Sequence, residues 1–247
     1  MGIKNIELGD SRMSDDEISV IIDALDEAEM TVAMYSIRCD VLSRDASVRK
    51  ERTEKVHERL RVANKVGATK VAIGAGFPTS DSDFSAEECQ EWLHAAIADI
   101  LPLAVELGIT VTIPNFGIHA DIYGTSDYIL ASCKAFGSEL KMTYDVGNFL
   151  MANEDPIEVL NKVYPYVVHI HFKDWEIVPN EQPGAWIGID GRFFMARALG
   201  EGIVDLPAAL TRLKELGYDG CISVEYEGVG DAWKEMERGI TYLRTLL

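Results

Sequence analysis

A chain of 247 residues, 47% hydrophobic and 26% charged, is long enough to bury a sizeable core, and no apolar run approaches the roughly 18 residues that a membrane-spanning helix needs. Its 41 acidic and 23 basic residues give a formal net charge of -18, a field that repels phosphate backbones and anionic membranes and so excludes both as principal partners. The four cysteines, Cys39, Cys89, Cys133 and Cys221, are far apart with no CxxC pair, and the N-terminus shows no basic and apolar leader, so a cytoplasmic protein with free thiols is expected.

Taken in chain order, short β-rich runs alternate with stretches of helical periodicity. The first run is "IKNIEL" (Ile3 to Leu8), and Ser14 then opens the helical "SDDEISVIIDALDEA". "MTVAMYSI" (Met30 to Ile37) follows, then a helical stretch stopped by Gly67, then "TKVAIGAG" (Thr69 to Gly76). Ser85 opens a second capped helix that stops at Gly108, ahead of "ITVTIP" (Ile109 to Pro114). Another helical pattern stops at Gly137 before "LKMTYD" (Leu140 to Asp145), and "VVHIHF" (Val167 to Phe172) comes next. Trp175 to Gly202, with Pro179, Pro183 and several glycines, reads as an extended loop. A last helix stops at Gly217 before "CISVEY" (Cys221 to Tyr226).

Strand, helix, glycine, strand is the syntax of βα units around a parallel sheet. No composition break marks a domain boundary, so residues 1–247 read as one domain. An open doubly wound sheet would share this syntax but commonly carries a phosphate-binding glycine loop; there is no GxGxxG or GxxxxGK[ST], and "IGAGFP" lacks the lysine and the helix start. Seven strands of this type point to a TIM-type (β/α) barrel.

Alternation in "VVHIHFKDW" places His169, His171 and Lys173 on one face, and Val168, Ile170 and Phe172 on the other. In a barrel the polar set points inward, toward the end where barrel enzymes keep their chemistry. The same alternation turns Thr143 and Asp145, Ser223 and Glu225, and Asn5 and Glu7 inward. Acid, imidazole and acid at successive strand ends suit a divalent cation. Each residue also has a plain structural reading. His169 fits a hydrogen-bonded core position, Asp145 a cap on the turn "DVGN", and Glu225 a rim ion pair with Lys173 or an arginine.

The ordered set "YDVGN", "HIHFKD", "LGEGIVDLPAALTRLKELGYDG" and "CISVEYEG" resembles the sugar phosphate isomerase/epimerase superfamily, the xylose isomerase-like barrels, from "GIKNIEL" to the C-terminus. The resemblance implies a divalent metal, manganese first, with magnesium, cobalt or zinc as alternatives. Its ligands at motif-matched positions would be Asp145, His171 and Glu225. The family's first glutamate falls on Pro114 of "IPNFG", which offers no side-chain donor. By the same resemblance, a strand and helix usually precede the one matching "GIKNIEL", so the barrel is expected to lack that first unit. Another element or a second subunit would then fill the place, which makes a homodimer the expected assembly.

Together these imply an isomerase or epimerase of a small sugar or keto-sugar. Glu225 and Lys173 are its expected catalytic residues. Glu7, Asn148, His169 and Trp175 are expected to contact substrate, Trp175 and Trp186 of the long loop either covering the sugar's apolar face or packing the loop, and Asn115 or His119 to stand in for the missing glutamate. A keto-sugar or inosose dehydratase or lyase is the alternative on the same fold. A sugar-binding barrel without catalysis, or a subunit of a larger enzyme, is the alternative from another class. The related abasic-site endonucleases share the barrel, but their DNA cleft needs a basic stripe that this composition lacks.

Overall fold

The computed structural model describes residues 2–9, 13–76, 84–117 and 123–247. All seven expected strands form: β1 (Asn5–Gly9), β2 (Thr31–Arg38), β3 (Lys70–Gly74), β4 (Thr110–Pro114), β5 (Leu140–Asp145), β6 (Val167–Phe172) and, late in the chain, β10 (Ile222–Val224). Between and after them lie α1 (Asp15–Glu27), α2 (Ala46–Lys65), α3 (Ala86–Glu106), α4 (Ser126–Phe136), α5 (Pro156–Val163), α6 (Leu206–Glu215) and α7 (Ala232–Leu246).

The chain divides into two compact units, Met1–Ile113 with Ser132–Lys141, and Pro114–Ala131 with Met142–Leu247. In the first, β1 to β4 pair in parallel in chain order. Ser14 and Ser85 begin α1 and α3 with full capping boxes, closed by Glu17 and Glu88. Leu93, Ala96, Ile97, Ile100 and Ala104 of α3 recur at helical spacing and are buried, as are Val56, Leu60 and Ala63 of α2. Each fully buried Leu or Ile contributes about 1.5–3 kcal/mol through loss of contact with water. At the end of α2 the chain reverses through Gly67 at φ +81°, a left-handed conformation that a side chain would strain.

In the second unit, β5 pairs with β6 and β6 with β10, again in parallel. Both faces of β6 are buried from His169 onward, as a parallel strand covered on each side requires. The stretch expected as an extended loop instead builds a three-stranded antiparallel sheet, ordered β7 (Asp174–Val178), β9 (Phe193–Arg197), β8 (Trp186–Ile187). Its strands are short, and the proline and glycine between them mask the alternation. Asp174 ties this sheet to the chain ahead of α6. Its carboxylate accepts from the backbone N–H groups of Trp175, Gly200, Gly202 and Val204, at 2.9–3.0 Å. A side chain at Gly202 would collide with that carboxylate.

Among the described residues, no helix is long and apolar enough to cross a membrane, and the four cysteines carry no disulfide.

Candidate active site at the ends of β5, β6 and β10

The parallel register sets Asp145 beside His171 and Ser223 beside His171, so three strand ends deliver their polar groups to one place. Glu225 follows β10 directly, and its N–H extends the ladder by donating to the Phe172 carbonyl at 2.9 Å. His171 Nδ1 lies 3.1 Å from Asp145 Oδ1 and 3.0 Å from Glu225 Oε2. Lys173, only 4% exposed, reaches the same two oxygens at 3.0 and 2.9 Å, and Glu227 Oε2 at 2.8 Å.

These contacts explain the ionisation of the group. Burial opposes charge on His171 and Lys173, but the surrounding carboxylates outweigh it and hold both pKa values well above their ordinary ranges. Burial likewise opposes the Glu225 carboxylate, and the charges of Lys173 and His171 override it, so its pKa falls well below the usual range. Glu227 goes the other way: burial and the neighbouring charges of Glu225 and Asp145 raise it despite Lys173.

Asp145, His171 and Glu225 present one donor atom each within 4.8 Å of one another. Neighbouring ligands of an octahedral cation, each about 2.0–2.1 Å from it, stand about 3 Å apart, and the His171 contacts have that spacing. Two carboxylates and an imidazole also have the chemistry for such an ion. The three residues therefore form a candidate metal site.

Behind the site, Asn115 is fully buried and acts as a clamp on Asp145. Its Nδ2 donates to the Asp145 carbonyl at 3.0 Å, and its Oδ1 accepts from the Asp145 N–H at 2.9 Å. β4 ends at Pro114, and one side-chain amide past that proline thus supplies both partners of a ladder step. Asn148 Nδ2 in turn donates to the Asn115 carbonyl at 2.8 Å, while its buried Oδ1 has no hydrogen-bond partner among the described residues.

The remaining expected residues divide. His169 is buried, with Nε2 3.1 Å from Ser223 Oγ. Trp175 is fully buried, its ring centroid 5.1 Å from that of Trp186, and Gly147 leaves room for its indole edge. Its Nε1 has no partner among the described residues either. Glu7 is half-buried on β1, in the first unit. His119 lies outside the described residues. Glu227, two residues beyond Glu225 in "VEYEG", was not anticipated.

The family model described as xylose isomerase-like TIM barrel matches residues 1–246. The chain belongs to this family. Its fold is accordingly a TIM-type barrel with seven parallel strands read in chain order. Among curated relatives, an uncharacterized protein of Methanocaldococcus jannaschii is 24% identical over 236 residues, covering 93% of this chain and 75% of that protein. An inosose dehydratase of Lacticaseibacillus casei is 28% identical over 94 residues, 36% of this chain and 31% of that protein. Among solved structures, a D-psicose 3-epimerase with D-fructose present superposes with a TM-score of 0.79 at 16% identity, over 99% of this chain and 88% of that one. The IOLI protein with a binding zinc atom gives 0.78 at 15% identity, over 99% and 88%. The activities in these names are those of sugar epimerases and dehydratases, consistent with an enzyme.

Proposed function

We propose that this protein is a divalent-metal-dependent isomerase or epimerase of a small sugar or keto-sugar, cytoplasmic and homodimeric, built as one barrel domain. The observation that carries the reading is the meeting of Asp145, His171 and Glu225 at 3.0–3.1 Å spacing beside the buried ammonium of Lys173. Those three residues would hold the ion, manganese first, and it would polarise a substrate carbonyl next to the carbon that loses a proton. A zinc-holding neighbour of the same fold and the sugar epimerases around it support the assignment.

The side chains of this chain then divide the work. Glu225, ionised and half-buried, takes the proton from the carbon beside the carbonyl. Lys173 carries a fixed positive charge that stabilises the oxyanion developing on the substrate. Asn115 keeps Asp145 in register by holding its backbone on both sides. His169, Asn148 and Trp175 are assigned to substrate hydroxyls. Trp175 Nε1 and Asn148 Oδ1 supply a donor and an acceptor without partners among the described residues. Inversion at carbon needs a second proton donor from the opposite face. Asn115 has its amide committed to Asp145, which leaves His119 as the residue we nominate.

One observation favours a dehydratase reading as well. Pro114 stands where the resemblance wants a second acid, and one base is enough to remove a proton and expel a neighbouring hydroxyl. The inosose dehydratase relatives support it. The test is incubation of the manganese-loaded protein with ketohexoses and keto-inositols in D2O. Solvent deuterium should enter beside the carbonyl and be lost with Glu225→Gln; an epimeric product identifies the first reading and an unsaturated ketone the second. Binding of a keto-sugar with no exchange at all would leave only a sugar-binding barrel.

A further inference from the structure

The ammonium of Lys173 lies on the same two atoms, Asp145 Oδ1 and Glu225 Oε2, that would ligate a divalent ion. Each of these oxygens also lies 3.0–3.1 Å from His171 Nδ1. A doubly charged ion entering the buried cluster therefore meets a cation already in place. The third contact of Lys173 is with Glu227 at 2.8 Å, the shortest of its three, and Glu227 is not among the three candidate ligands. Glu227 lies past the end of β10 with its side chain 28% exposed, and it can keep hold of the ammonium once the other two oxygens are taken.

We propose that Lys173 is a resident counter-cation of this centre, and that a divalent ion enters by displacing it onto Glu227 and releasing the His171 ring proton to solvent, which makes Glu227 a functional partner of the metal site. This rests on the metal-dependent reading above. Displacement has two consequences. Without a metal the carboxylates stay compensated and the centre does not fly apart. With one, the ammonium is moved but not expelled, so a positive charge remains beside the substrate position. Loss of Lys173 should tighten metal binding, and loss of Glu227 should weaken it only while Lys173 is present.

The experiment is calorimetric titration of Zn²⁺ into the metal-stripped full chain and into Lys173→Met, Glu227→Gln and the double variant, with folding checked by circular dichroism. Lys173→Met is expected to bind at least about tenfold more tightly than wild type. Glu227→Gln alone is expected to bind about tenfold more weakly, and in the Met background its cost should shrink to about twofold. Equal or weaker binding by Lys173→Met, or the same Glu227→Gln cost in both backgrounds, overturns the displacement while leaving the metal site standing. No binding by wild type or by either single variant overturns the metal reading itself. Should Lys173→Met not fold, the ¹⁵N resonance of Lys173 Nζ decides: it should shift on Zn²⁺ addition in wild type and less in Glu227→Gln, and a resonance that Zn²⁺ leaves in place overturns the proposal.

Discussion

A half-buried histidine, His94, and a buried one, His171, differ in what surrounds them. In the first unit, His94 of α3 puts Nε2 2.9 Å from Ser132 Oγ of α4, Gln90 donates to the same hydroxyl at 3.3 Å, and the Phe136 ring meets the imidazole edge-on at 5.3 Å. In the second unit, His171 faces two carboxylates and a lysine. Burial alone acts on His94 and pushes its pKa down, while at His171 the carboxylates override burial and push it up. Burial and a hydrogen bond are common to both and distinguish nothing. An excess of acid around the imidazole is what marks the second as a site for a cation.

The largest expected effect of breaking that difference is on turnover. Glu225→Gln or Asp145→Asn should lower kcat by about 10² to 10⁴ on any substrate found, whereas His94→Gln should leave it within about twofold, as measured by initial rates on metal-loaded protein.

Asp174, next to Lys173 in sequence, sharpens the contrast in another way. It is a buried carboxylate satisfied by four N–H groups, with no cation among the partners that hold it. Burial raises its pKa although those four bonds favour the charged form. Asp174→Ala leaves four donors without their acceptor, two of them on the buried residues Trp175 and Val204, and should cost at least about 3 kcal/mol in urea denaturation.

The two histidines should also respond to pH with opposite sign. His94 binds its proton more weakly folded than unfolded, so its contribution falls as pH drops below about 6.5, the unfolded value. His171, in metal-free protein, binds its proton more tightly when folded. Its contribution is fully present below about 6.5 and is lost as pH rises through the folded value. Imidazole NMR titration should place the two on opposite sides of the ordinary value, and His94→Gln should remove the acid-side loss. The smallest effect is expected from Ser132→Ala, about 0.5–1.5 kcal/mol by thermal or urea melting, since it removes neutral hydrogen bonds only.

Much of this was legible in the sequence because the relevant signals are local. Alternation placed His169, His171 and Lys173 together, Ser14 and Ser85 marked the starts of two capped helices, and the carboxylates at Asp145 and Glu225 fell at strand ends. What escaped was set by tertiary contact. The Asn115 clamp depends on Asp145 being 30 residues further on, and nothing in "IPNFG" shows it. The antiparallel sheet joins a five-residue strand to a two-residue one across prolines and glycines, too short for any periodicity to emerge. Glu227 lies beyond the strand, where alternation no longer predicts direction, and only Lys173 reaching it gives it meaning.

The most direct test is anomalous diffraction at the manganese edge from crystals grown with Mn²⁺. One peak is predicted within about 2.0–2.3 Å of Asp145, His171 and Glu225. An ordered protein with no peak there, or a peak only among surface carboxylates elsewhere, would contradict the account.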